Sequence, residues 1–142
     1  MKIINIAAVC ALALTLSGCL ENEAPKCSNP AVKALVKDLY QESVKELENN
    51  PMAAIFMTTL PKEISSVSTV RAVAYDEKVN LRHCKAQAHF DNNISTNISY
   101  TVQLSEENPE EFYVELDTTF MEGLMQQSMM QEMFSGFNLN TK

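Results

Sequence analysis

Glycine is scarce in this 142-residue chain, which has only Gly18, Gly123 and Gly136. Phosphate-cradling loops need clustered glycines, because the backbone must turn sharply and approach the ligand closely. Walker, Rossmann and nucleophile-elbow patterns are therefore excluded. Tryptophan is absent, and the four cysteines, Cys10, Cys19, Cys27 and Cys84, form no CxxC pair and no zinc-type spacing with histidine. Basic residues are also few, 11 against 18 acidic ones, giving a formal net charge of −7. That balance disfavours nucleic acid and anionic lipid as partners. It either favours a basic partner or serves solubility alone.

What the chain does have is an apolar segment, Ile3 to Leu16, preceded by Lys2 and followed by Leu16-Ser17-Gly18-Cys19. Its 14 residues include Asn5 and Thr15. Spanning a bilayer takes roughly 18–20 apolar residues, so the segment reads as a removed signal. An ordinary secretory peptide and an uncleaved anchor are the other readings of this stretch. The four residues ending at Cys19 resemble the lipobox of bacterial lipoproteins. The resemblance implies a signal peptide over 1–18, cut before Cys19, and acyl chains on that cysteine. At about 0.8 kcal/mol per buried methylene, two or more chains anchor stably. Leu20 stands where aspartate would retain a lipoprotein at the inner membrane of enteric bacteria. The implied location is the periplasmic face of the outer membrane, with the lipid bilayer as a partner through Cys19.

Under that resemblance Cys10 leaves with the signal and Cys19 carries lipid, so Cys27 and Cys84 remain. In an exported protein such a pair is expected to form one disulfide, with two free thiols or a metal site as alternatives. Closing a loop of that size stabilises by roughly 4 kcal/mol in the chain-entropy model. Loss of Lys2 leaves ten basic residues against 18 acidic, a charge of −8 on the mature chain. Residues 19–26, polar and carrying Pro25, read as a lipidated tether. Residues 27–142 are long enough for one domain with one core.

Asn29-Pro30 can open a helix, with Asn29 as cap and Pro30 at its first position. Val32, Leu35, Val36, Leu39, Ser43 and Leu47 then recur at three- and four-residue spacing, to a stop near Asn49-Asn50-Pro51. Met52, Ile55, Phe56 and Leu60 suggest a short second helix before Pro61. Beyond it the period becomes alternating. Ile64–Tyr75 reads as a strand of impure alternation. In the next run Cys84, Ala86, Ala88 and Phe90 face one way, and His83, Lys85, Gln87 and His89 the other. Ile94 to Ser105 alternates most cleanly, and Phe112, Val114 and Leu116 mark a last strand. Turns fall at Asp76-Glu77-Lys78, at Asp91-Asn92-Asn93 and around Pro109.

The fold class expected is α+β: an N-terminal helix packed on a four-stranded antiparallel meander, with a C-terminal amphipathic helix. The order of elements resembles cystatin-like and nuclear-transport-factor-like folds in topology, and folds of that kind host binders, inhibitors and enzymes alike. The last helix is expected at about 119–135, opened by a capping box at Thr119-Phe120-Met121-Glu122 and closed at Ser135-Gly136. Met121, Met125, Met129 and Met133 recur there every four residues. Such a stripe is core filler, an adaptable surface for a partner, or a soft Cu(I) site.

No catalytic constellation emerges. His83 and His89 lie on one strand face about 20 Å apart, too far to share a metal, and no spacing joins a serine to either. Glu106-Glu107 and Glu110-Glu111 flank Pro109 as a solvated turn. Asn93-Ile94-Ser95 and Asn97-Ile98-Ser99 match a glycosylation pattern, which the resemblance to bacterial lipoproteins implies is an accidental match. The functional expectation is a lipid-anchored periplasmic lipoprotein that binds another envelope protein noncovalently, without a cofactor or metal. Its contact surface is the polar sheet face or the methionine helix. The alternatives are a hydrolase inhibitor using the Asp91-Asn92-Asn93 loop, and an enzyme or small-ligand carrier with a pocket between helix and sheet.

Overall fold

A computed structural model describes residues 23–54 and 59–137. The signal segment, the lipobox with Cys19, and Ile55 and Phe56 lie outside the described residues. In chain order the elements are α1 (Pro30–Glu48), α2 (Pro51–Ala54), β1 (Ile64–Asp76), β2 (Leu81–Phe90), β3 (Ser95–Leu104), β4 (Phe112–Leu116) and α3 (Phe120–Phe137). The strands pair antiparallel in the order β1-β2-β3-β4. This is the expected α+β architecture, a meander preceded by α1 and α2 and followed by α3. No helix among the described residues is long and apolar enough to cross a membrane.

Local chemistry sets the limits of α1. The Asn29 side chain accepts the Ala31 N–H at 2.8 Å, while Pro30 has no N–H to satisfy. At the far end the Asn49 N–H donates to the Lys45 carbonyl at 3.1 Å, and Pro51 follows. The buried residues are Val32, Val36, Tyr40 and Val44, which corrects the expected stripe. Leu35 is 37% exposed, and Leu39, Ser43 and Leu47 are only half-buried. A step of four residues turns 400°, so this line drifts about 40° per step around the helix. That drift lets α1 follow a twisted sheet.

Tyr40 escaped the sequence reading because its tip is polar. Its hydroxyl donates to the Pro61 carbonyl at 2.5 Å. Its ring lies 5.2 Å from Phe90 and 6.1 Å from Phe120, so one side chain joins α1, β2 and α3. Burial pushes the phenol well above its ordinary pKa, and the negative charge of Asp91 adds to the effect. Beneath α1 the sheet presents Cys84, Ala86 and Ala88 from β2 and Ile98, Tyr100 and Val102 from β3, all buried. The small alanines leave room for the helix. Full burial of a valine or leucine is worth about 1.5–3 kcal/mol, so this shared layer dominates the stability.

Strand β1 explains its own impure alternation. Its 13 residues face the ten of β2, and the pairing slips between Ile64 and Ser66, between Ser68 and Arg71, and between Ala72 and Ala74. Each slip is a β-bulge that inserts one residue and increases local twist. At the second, Thr69 has a φ of 50°, uncommon for a β-branched residue. Unbulged pairing from Ser68 opposite Gln87 would set Arg71 opposite the buried Cys84. The bulge sets Arg71 opposite Lys85 and gives Ala72 to Cys84. The bulge at Thr69 thus sets Arg71 in register with exposed Lys85 rather than with Cys84.

Candidate binding surfaces

The predicted disulfide forms: Cys27 and Cys84 are bonded, with Cα atoms 5.7 Å apart, and both are buried. It fixes the start of the domain to the middle of β2. The Tyr100 hydroxyl, buried below, donates to the Cys27 carbonyl at 2.8 Å, and burial pushes its pKa up to about 12. The end of the expected tether is also docked. Ala24 is buried, its carbonyl accepts from Arg82 at 3.2 Å, and Glu23 pairs with the same guanidinium at 3.5 Å. Arg82 further lies 4.6 Å above the Tyr75 ring.

The methionine stripe divides. Through the first ten residues of α3, Met121, Leu124 and Ser128 are buried, while Met125 and Met129 are half-buried. In the second half, Met130, Met133 and Phe134 are 53%, 62% and 68% exposed. At about 100° per residue these three centre on a face roughly opposite the one that Met121, Leu124 and Ser128 bury. Apolar residues therefore line one side of the helix in its first two turns and the other side in its last. The four stripe thioethers run from core to solvent along the helix axis and do not converge. Among the described residues, no histidine, cysteine or carboxylate cluster is placed to hold a metal.

The start of α3 differs in detail from the expected capping box. Asp117 accepts the Thr119 N–H at 3.0 Å, and the backbone and side-chain bonds from Thr119 hold this exposed carboxyl below its usual range. The loop Asp91-Asn92-Asn93 does not project freely. Asn92 donates to Ser128 at 3.3 Å and accepts from Gln131 at 3.4 Å, so α3 holds it down.

Among the described residues no element covers the other face of the sheet. His83, Lys85, Asn97, Glu115 and Asp117 are exposed there, with Gln87, Ser99 and Thr101 half-buried. Two adjoining hollows of about 370 and 420 Å³ share Lys85 and Ser99. The space between α1 and the sheet, by contrast, is filled by the core side chains.

The histidines part company. His83 is exposed on the open face, whereas His89 is half-buried. Its Nε2 lies 2.7 Å from Ser68 Oγ and its Nδ1 2.7 Å from Ser95 Oγ. The sequence spacing concealed this contact, since it needs the register of three strands. A hydroxyl on each ring nitrogen satisfies the imidazole and ties β1, β2 and β3 together. Neither open-face hollow includes these three residues. No protein-family model, curated protein or solved structure matches the chain.

Proposed function

We propose that the protein is a lipid-anchored periplasmic lipoprotein, attached through Cys19, that binds another envelope protein noncovalently. The observation that carries the binding reading is the exposed apolar face of Met130, Met133 and Phe134. Its spacing of three and four residues is that of a helix presented to a groove or to another helix. Methionine and phenylalanine supply adaptable apolar area without a charge that would fix a single register. The filled core favours this reading over a small-ligand carrier, and the clamped Asn92 loop favours it over a loop-inserting inhibitor.

Photo-crosslinking residues placed at positions 133 and 134 in cells should trap one discrete partner, and the same group at Glu42, exposed on α1, should not. Met130→Glu, on the same exposed face, should abolish the adduct from either position without changing the thermal midpoint. Equal trapping from position 42, or none from α3, would sink the binding reading. The anchor is tested separately, because Cys19→Ala must remove acyl labelling.

A further inference from the structure

We propose that the open sheet face is a second binding site, for a bipolar segment of a partner protein that offers a carboxylate to Arg71 and Lys85 and a cationic side chain to Glu115 and Asp117. This rests on the reading of the protein as a binding module but uses a different surface. The register makes one row across β1, β2 and β3 to the residue just after β4. Arg71 pairs with Lys85, Lys85 with Ser99, and the Asp117 N–H donates to the Ser99 carbonyl at 3.0 Å. The next row runs from His83 through Thr101 to Glu115. Positive groups thus stand on β1 and β2, and negative groups on and just beyond β4.

Three observations make this row a candidate site. Like charges directly opposite one another on neighbouring strands destabilise a sheet, yet Arg71 faces Lys85. Among the described residues the one ion pair is Arg82 with Glu23, so neither end of the row is neutralised internally. The adjoining hollows, about 420 Å³ beside Arg71 and about 370 Å³ beside Glu115 and Asp117, share Lys85 and Ser99 and give the row a continuous seat. Strand spacing of about 4.8 Å puts Arg71 and Asp117, the outer ends of the row, roughly 14 Å apart, the reach of about four extended residues. In a chain of net charge −7, an acidic group would be attracted at this pair of cations and repelled over most of the surface.

The probes are three capped, fluorescently labelled pentapeptides with serine between their ends: one with terminal aspartate and lysine, one with two aspartates and one with two lysines. They are titrated against the full exported protein in neutral detergent. The mixed peptide should bind roughly tenfold or more tighter than either like-charged one. Lys85→Gln should weaken it severalfold while leaving the thermal midpoint unchanged or raised, because the substitution relieves the repulsion from Arg71. Arg71→Glu with Lys85→Glu should move the preference to the dilysine peptide. Equal binding of all three peptides, no saturable binding, or displacement of the mixed peptide by phosphatidylglycerol vesicles would overturn the proposal. Failure here with crosslinking intact at α3 would remove this site and leave the binding reading standing.

Discussion

Helices α1 and α3 are closely matched in length, 19 and 18 residues, and each carries an apolar line at four-residue spacing, yet they meet solvent in opposite ways. The buried line of α1 stays against the sheet along its whole length, and its outer face bears exposed Asp38, Glu42, Lys45, Glu46 and Glu48. In α3 the only charged residues are Glu122 and Glu132, and the apolar residues of its second half face away from the domain. Packing consumes about two turns of α3, and the remaining turns carry apolar surface that the fold does not use. A helix end without tertiary packing is only marginally stable by itself. A partner that covers Met133 and Phe134 would therefore stabilise this end of the helix as it binds.

Measurements on the two helices should separate the half of α3 that serves the fold from the half that does not. The largest expected effect is Tyr40→Ala, which empties the contact between α1, β2 and α3. It should cost about 3–5 kcal/mol in denaturant unfolding, whereas Tyr40→Phe should lose only the bond to Pro61, about 1 kcal/mol. Leu124→Ala, in the packed half of α3, should cost about 2–5 kcal/mol by the same measurement. A cost near zero would place that half with the exposed end.

The two buried phenols give a pH test. Tyr40 and Tyr100 keep their protons in the fold at a pH where the unfolded chain, near 10, has begun to lose them. The unfolded state then binds fewer protons, so stability falls as pH rises. The loss should begin near pH 10 and run toward about 12 for Tyr100, at about 1.4 kcal/mol per pH unit for each phenol. Tyr100→Phe should remove its share of the slope. The smallest effect is expected for Phe134→Ser, within about 0.5 kcal/mol of the parent. A cost above 2 kcal/mol, on the order of a buried side chain, would show the end of α3 to be packed after all.

Much of the scaffold could be read from residues alone, where the signal was local. Asn29-Pro30 marks the start of α1, the alternation through Ile98, Tyr100 and Val102 marks β3, and the lipobox resemblance left Cys27 and Cys84 for each other. What escaped depended on contacts distant in sequence. Tyr40 and Val44 replace Leu35 and Leu39 in the core because the stripe drifts around α1 to follow the sheet. The opposition of Arg71 and Lys85 depends on a bulge at Thr69 that no turn residue announces. The contact of His89 with Ser68 and Ser95 needs the register of three strands. In α3 the sequence showed the methionine repeat but not its division, because an apolar residue gives no sign of where the body it packs on ends.

The disulfide also has a mechanical consequence. Tension applied at the N-terminus first meets the Arg82 contacts of Glu23 and Ala24, then reaches Cys27 and crosses the sulfur bridge to Cys84 in β2, a strand held by neighbours on both sides. The load is shared by the hydrogen-bonded ladder, and α1 lies off its path. Reduction would reroute the pull along the chain into Pro30 and peel α1 from its first turn. The bridge decides whether a pull on the N-terminal segment is borne by the sheet or unzips the helix that covers it.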